Sequence, residues 1–401
     1  MSKIAVVDLL FHWPPDGGSR IDLKEVFSRV AQKHEVKFFV PEFMRYYPRG
    51  EILTPFNDSI ELELIRFNAI TYNFYHVPTR IKKVVDKFKP DYVFVADGEL
   101  IKPYVIDALR EYKPILRYYS YDSFCIKDYG TFFHNGKVCN RCYLDTPLYC
   151  INCSLAWILK YRARMASHTF LTSLAFTPLL YRTIKRGLAS ASAIIVYNNY
   201  IAEIVKRFNP ECLVVPSGVD IERFSPVSGK ERKGKFKVLM AGRVDDPGKG
   251  FDILYRACKK LIAMGRDIEL VITGEKKVRD EFVRSAGWLT PDEMPGLYNE
   301  CDISVVPSIW MEPFGMVAVE SLACGIPLIA TRTGGLQNII EECKNGFLVA
   351  PGDVDELASA IDRFISDRGL LEKMSVAARK SSEDRYDWDK IVSQVYMPLF
   401  E

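Results

Sequence analysis

W-M-E-P-F-G-M-V-A-V-E-S-L-A-C, residues 310–324, is the stretch that decides the fold. It follows the apolar run Ile303–Val306, which ends at Pro307 and Ser308 and reads as a buried strand. A helix-forming run occupies Met316–Ala323. Proline is tolerated at a first helical position, because its missing N–H would have no intrahelical partner there. With Pro313 so placed, Glu312 is expected just outside a helix N-terminus. Glu320 then lies about 12 Å further along the axis, at a rise of about 1.5 Å per residue. Between them the N–H groups of Phe314, Gly315 and Met316 are expected to point outward, where amides and dipole together favour an anion. A carboxylate, an anion-binding helix start and a second carboxylate suit a ligand with hydroxyls, then phosphates, then more hydroxyls. A nucleotide sugar is such a ligand.

A second segment points the same way. Val238-Leu-Met-Ala-Gly-Arg243 reads as a short strand, followed by the turn-rich Asp245-Asp246-Pro247-Gly248, then Lys249-Gly250. A helical pattern continues through Phe251, Leu254, Cys258 and Leu261. Arg243 and Lys249 thus flank one strand-to-helix loop. Two cations at the C-terminal end of a parallel strand are placed to neutralise a diphosphate, and open α/β sheets bind ligands at that edge. The competing reading, two solvated surface cations, weakens once the Glu312 segment is added.

G-R-x5-K-G, then E-P-F-G-x4-E, with S-G-V-D at 217–220 and T-G-G at 333–335, resembles the retaining GT-B glycosyltransferases of family 4. The resemblance implies an α/β fold of two Rossmann-like domains, their parallel sheets facing a central cleft and a C-terminal helix crossing back to the N-domain. It implies that Arg243 and Lys249 bind the phosphates of a nucleoside-diphosphate sugar and stabilise the leaving group. It implies that Glu312 contacts the donor sugar and Glu320 the ribose hydroxyls. Gly17 and Gly18 resemble the N-terminal glycine loop that lets backbone approach the donor phosphate and the acceptor. Trp288 begins the loop that borders the base in such enzymes; stacking on the base and packing are both open for it. No catalytic metal is expected, since the cations and the helix start do that work, and retention is expected to proceed by same-face attack.

Composition sets outer bounds. A chain of 401 residues is long enough for two domains. A net charge of +3 argues against a nucleic-acid partner. No uninterrupted apolar stretch is long enough to span a membrane, and M-S-K-I-A-V-V-D is too short in apolar residues for a signal peptide, so a cytoplasmic protein is expected.

Alternation of strand and helix patterns argues for parallel sheets with crossover helices. Strands are expected at 4–8, 36–40, 92–96, 115–119, 193–197 and 212–215, then at 238–241, 268–273, 303–306, 327–331 and 347–349. An acceptor-side domain at 1–225 carries a Cys-rich insertion at about 125–153. A linker follows at 225–235, a donor-binding domain at 236–382 and a helix at 383–401. That helix shows Trp388, Ile391 and Val395 on one face, and an earlier one at 354–365 shows Leu357, Ile361 and Ile365.

Cys139-Asn-Arg-Cys142 and Cys150-Ile-Asn-Cys153 form two C-x2-C pairs. Two such turns can complete a tetrahedral four-thiolate site, and in a reducing compartment the pattern reads as a structural zinc rather than disulfides. Cys125 is a fifth thiol that could replace one of the four. Some family-4 enzymes are similar here, with an early Cys and then G-x-x-C-x-x-C on the acceptor side. A nucleic-acid knuckle is disfavoured, because only Lys137 and Arg141 are basic nearby.

Family-4 enzymes often carry an H-D or H-N pair after the fourth N-domain strand. Here Tyr121 stands at the histidine position and Asp122 keeps the second, so Asp122 joins Glu312, Arg243 and Lys249 as the expected catalytic set. Tyrosine is a poor base at neutral pH, and His12 and His134 are the nearby alternatives. Residues 155–187 are rich in Leu, Phe, Trp and Tyr and carry six Lys and Arg with no acid. This suits either packing on a sheet or docking on the inner membrane face. The acceptor is then a glycan or a lipid-linked sugar. Two alternatives compete: a GT-B enzyme of another reaction, such as a sugar-phosphate synthase or phosphorylase, and a non-catalytic donor-binding subunit.

Overall fold

Short runs rich in Val, Ile and Phe become the strands, because a parallel strand covered on both faces must be apolar throughout. The computed structural model describes residues 1–15, 17–127, 131–227, 234–276 and 278–401. In chain order the strands are β1 (Lys3–Val7), β2 (Glu35–Glu42), β3 (Glu61–Arg66), β4 (Tyr92–Val95), β5 (Ile115–Arg117), β6 (Phe133–His134) and β7 (Lys137–Val138). They continue with β8 (Ala193–Val196), β9 (Cys212–Val214), β10 (Phe236–Met240), β11 (Ile268–Ile272), β12 (Val283–Ser285), β13 (Ile303–Val306), β14 (Leu328–Thr331) and β15 (Gly346–Val349).

Among the described residues, β3-β2-β1-β4-β5-β8-β9 form a seven-stranded sheet and β12-β11-β10-β13-β14-β15 a six-stranded one. The pairings in both are parallel. β6 and β7 form an antiparallel hairpin. Strand order reverses between β1 and β4 in one sheet and between β10 and β13 in the other. In such sheets the crevice at the carboxyl ends, where the order reverses, is the place for a ligand.

The chain divides into two units, one of Met1–Phe132, Asn140–Pro216 and Val392–Glu401, the other of Phe133–Cys139 and Ser217–Ile391. In the second unit the helix Phe251–Ala263 buries Phe251, Leu254, Cys258 and Leu261 against Val238, Met240, Leu270 and Ile272 of the sheet. The helix Val354–Ser366 adds Leu357, Ile361 and Phe364 to the same core. Asp353 caps it by accepting from the N–H groups of Asp355 and Glu356.

The expected strands form within a residue or two of their expected ends. β3, β12 and the two-residue strands β6 and β7 went unread. β3 is E-L-E-L-I-R, half-exposed, and charge on an edge strand hides its pattern while discouraging edge-to-edge pairing. Residues 228–233 of the expected linker lie outside the described residues. The final helix also differs. Trp388–Ile391 is α-helical, but Val392–Tyr396 is a π turn. A π turn shifts the helical register, so Tyr396 and Phe400 are buried while Val395 is only half-buried. No helix among the described residues is long and apolar enough to cross a membrane.

Within the first unit Phe400 packs on Tyr92 and Phe27, with ring centroids 5.7 and 6.2 Å apart, and Tyr396 lies 6.4 Å from Phe94. Phe400→Ala should therefore cost the first unit about 3–5 kcal/mol, the usual cost of emptying a buried aromatic site. Urea unfolding followed by near-UV circular dichroism measures it; an unchanged midpoint would contradict the packing.

Candidate functional site

The second unit gathers its polar side chains where β10 and β13 end. Glu312 is 7% exposed, and a carboxylate so buried needs partners. Its Oε2 accepts from Trp310 Nε1 at 2.8 Å, from Ser308 Oγ at 3.0 Å and from Lys249 Nζ at 3.0 Å. Its Oε1 accepts from Lys249 Nζ at 2.9 Å. Lys249 also lies 4.9 Å from the centroid of the Trp310 ring. The loop after β10 and the loop after β13 are thus joined through one ion pair.

Two backbone features bring them that close. The Ile309 N–H donates to the Gly248 carbonyl at 2.8 Å. Gly250 has φ +81°, and a Cβ there would stand 2.0 Å from the Pro307 carbonyl oxygen. Only glycine both adopts that conformation freely and leaves room for the passing strand end.

The helix N-terminus is not where Pro313 suggested. The helix spans Met316–Ala323, with Gly315 as its N-cap at φ +119°. Pro313 and Phe314 belong to the preceding turn, which is pinned from outside the helix: the Gly335 N–H donates to the Glu312 carbonyl at 2.8 Å. The Ala318 N–H bonds back to the Gly315 carbonyl at 2.9 Å. The first-turn donors are therefore those of Gly315, Met316 and Val317, one residue later than expected. Glu320 sits one turn into the helix, about 6 Å from its start rather than 12 Å from Glu312 along one axis. The Tyr298 hydroxyl lies 2.9 Å from Glu320 Oε2, and burial holds the Glu320 carboxyl above the usual range despite that bond. Arg243 is exposed. Trp288 is 62% exposed, with its ring edge beside Gly274.

The first unit holds a buried charge cluster at the carboxyl ends of β1, β4 and β5. Asp8 follows β1 and accepts the Leu10 N–H at 2.8 Å. Arg20 donates to the Leu10 carbonyl at 2.8 Å and lies 3.9 Å from Asp97, which follows β4. Lys102 donates to the Arg117 carbonyl at 2.8 Å, over the Tyr118 ring. Glu99 accepts from Arg49 and from Thr169, each at 3.1 Å. Asp122 is buried, and among the described residues neither of its oxygens meets a hydrogen-bond partner. Burial raises its carboxyl to about 6, against the pull of the Lys102 charge. Burial likewise raises Asp8 to about 6. None of Asp8, Arg20, Asp97, Glu99 or Lys102 was singled out from the sequence. The available signal was an acid directly after an apolar run, V-V-D at 6–8 and V-A-D at 95–97.

Gly17 is the N-cap of the helix Gly18–Val30, in extended conformation, with open space where a side chain would stand. Tyr121 is a packed residue. Its hydroxyl accepts from Asn198 Nδ2 at 2.9 Å, while Asn198 Oδ1 caps the helix Asn199–Lys206. His12 is buried, with Nδ1 3.2 Å from the Leu10 carbonyl. His134 lies on β6.

The expected four-thiolate zinc site is not supported. Among the described residues no three His, Cys, Asp or Glu side chains come together as a metal would require. Pro147 opens a helix, Pro147–Tyr161, that carries Cys150 and Cys153 on successive turns instead of in a knuckle. The Cys150 thiol lies 3.7 Å from the Thr146 hydroxyl. Burial pushes the Cys142 thiol up to about 11. Cys139 belongs to the second unit, Cys125, Cys142, Cys150 and Cys153 to the first.

The glycosyl transferases group 1 family matches residues 221–381, the stretch that holds Arg243, Lys249, Glu312 and Glu320. Residues 221–381 are a group 1 glycosyl transferase domain. Residues of this chain are similar to an uncharacterized glycosyltransferase of Methanocaldococcus jannaschii, 34% identical over 39% of the chain and 43% of that protein. They are also similar to a phosphatidyl-myo-inositol mannosyltransferase of Mycobacterium leprae, 29% identical over 50% of the chain and 58% of that protein. The chain thus spans about half the length of these curated relatives. A solved sucrose-phosphate synthase of Thermosynechococcus elongatus matches 100% of the chain and 99% of its own, at 20% identity and a TM-score of 0.69. That full-length likeness gives the chain the GT-B fold, with the transferase domain as its second sheet.

Asp122 provides a pH test. A carboxyl held near 6 when folded, against an ordinary 3.8, stabilises the fold fully below 3.8 and loses that contribution as pH rises through 6. The stability of wild type relative to Asp122→Asn should therefore fall between these values, by about 2–3 kcal/mol. Thermal unfolding of both proteins from acid to neutral pH measures the difference; a flat or rising difference would contradict it.

Proposed function

We propose that this chain is a retaining glycosyltransferase, moving a hexosyl group from a nucleoside-diphosphate sugar to a glycan or lipid-linked acceptor. The observation that carries the reading is the Lys249–Glu312 pair, set beside the helix that opens at Gly315 and Met316. A fixed cation and an uncapped helix start suit a diphosphate on which charge grows as the glycosidic bond breaks. The diphosphate is held by Arg243, Lys249 and the N–H groups at Gly315–Val317. Glu312 meets the sugar hydroxyls and keeps the Lys249 ammonium aimed at the phosphates. Glu320 takes the ribose hydroxyls from the helix's second turn. Trp288, flat and exposed, stacks on the base.

In the first unit, Gly17 and Gly18 admit a ligand's phosphate or hydroxyl against the start of the Gly18–Val30 helix, and Asp122 with its buried neighbours fixes the acceptor-side loops. No side chain is assigned as a covalent nucleophile, so the acceptor hydroxyl attacks on the face the leaving group departs from. The departing diphosphate takes up its proton. The match to a phosphatidyl-myo-inositol mannosyltransferase supports an acceptor at a lipid surface. Residues 155–187, with six cations and no acid, are where such a surface is met.

Glu312→Ala should lower turnover by about a hundredfold or more while nucleoside-diphosphate binding largely survives, since charge stabilisation in the transition state is what is lost. Radiolabel transfer from a panel of nucleotide sugars, paired with calorimetric titration of the diphosphate, separates the two effects. Wild-type turnover in the variant would sink the assignment. Arg243→Ala should instead weaken diphosphate binding itself, by about tenfold, and an unchanged affinity would take Arg243 out of the phosphate site.

A further inference from the structure

The helix Pro147–Tyr161 is turned the wrong way round for a soluble surface. Its inward face carries the small polar residues Cys150 and Ser154, and the Ser154 hydroxyl donates to the Ile126 carbonyl at 3.2 Å. Its outward face carries Leu148, Asn152, Leu155 and Leu159, the i, i+4, i+7, i+11 spacing of a single helical stripe. Leu148 and Leu159 are each 77% exposed. At the helix's C-terminal end Tyr161 is 59% exposed. Lys160 lies 5.1 Å from its ring centroid; Lys160, Arg162 and Arg164 follow one another closely in the chain, all exposed, and Arg162 ends the helix in the left-handed conformation at φ 48°.

Charge says what covers this face. No Asp or Glu occurs from Thr146 to Ala202, a span holding Lys160, Arg162, Arg164, Arg182, Lys185 and Arg186. The whole chain has 54 Lys and Arg against 51 Asp and Glu, so with these six set aside the remainder is acidic. Positive charge is gathered on the very segment whose leucines face out. Arg186 is engaged by Asp107 at 2.9 Å, but Lys160, Arg162 and Arg164 lie close together in the chain at the helix's end. Leucines flanked by an aromatic ring and by cations fit a bilayer interface, with acyl chains under the leucines and anionic headgroups on the guanidinium groups. A protein partner would be expected to bury such a stripe with complementary acids; this chain's own copy of the segment has none to offer.

We propose that the Pro147–Tyr161 helix is a monotopic membrane wedge: Leu148, Leu155 and Leu159 enter the acyl boundary of an anionic bilayer, and Lys160, Arg162 and Arg164 bind lipid phosphates at its rim. This rests on the membrane contact assigned to residues 155–187 and deepens it to one helix face and one lipid class. It is independent of the sugar-transfer chemistry.

The full chain is floated with vesicles of phosphatidylcholine alone, and of phosphatidylcholine with about 30 mol% phosphatidylglycerol. Wild type should float with the anionic vesicles and not with the neutral ones, and high salt should release much of it. Leu155→Ser/Leu159→Ser and Arg162→Glu/Arg164→Glu should each lower partitioning by about tenfold or more. Val376→Ser, which alters an equally exposed apolar residue in the transferase domain, should change nothing. Far-UV circular dichroism and the thermal unfolding midpoint of the same variants report that they are folded. Equal flotation of wild type and variants, equal binding to neutral vesicles, or no flotation at all overturns the proposal. So does a wild-type dimer that the variants dissolve without any vesicle binding, which would give the face to a second copy. Loss of sugar transfer with flotation intact would count against the transferase reading and leave the wedge standing.

Discussion

One buried carboxylate organises the transferase domain. Glu312 is charged, nearly inaccessible and set at the end of a strand, an arrangement that is costly unless donors surround it. The donors come from both sides of the point where strand order reverses: Lys249 from the loop after β10, Ser308 and Trp310 from the loop after β13. Satisfying the carboxylate therefore fixes the lysine, and fixing the lysine fixes the loop. The doubly wound topology makes these two loops neighbours, and the ion pair makes them one surface.

The first unit meets the same burden incompletely. Asp8, Asp97, Glu99 and Asp122 share Arg20, Lys102 and Arg49, yet among the described residues both oxygens of Asp122 and one of Glu99 lack hydrogen-bond partners. Burial and mutual repulsion raise Asp8 and Asp122, while cations resist the rise. The two sheets share an architecture, but their carboxyl edges differ electrostatically.

The fold was legible wherever burial makes sequence monotonous. Interior parallel strands are apolar on both faces, so Ile303–Val306 and Val238–Met240 announce themselves, whereas the half-exposed β3 and the short β12 do not. The pairing of Lys249 with the Glu312 segment could be suspected from two motifs, but not the roles of Ser308 and Trp310, since a local contact made by the path of an irregular loop has no sequence period to announce it. The cysteines were legible only as a spacing: C-x2-C is a pattern in sequence, and Pro147 opens a helix that carries the second pair. The final helix was read with the period of an α-helix, and a single π turn was enough to substitute Tyr396 for Val395.

Gly250 carries a further implication. Its Cα runs so near the Pro307 carbonyl that the glycine loop and the strand end leave no space for a methyl group, and the Gly248–Ile309 hydrogen bond closes the same seam. A loop bolted down in this way has little conformational freedom to surrender when an anion arrives. Association then forfeits mainly the ligand's own motion, and affinity is won through preorganisation rather than through added contact area. On the proposed reading, any gating of sugar transfer resides in segments other than the Lys249 loop.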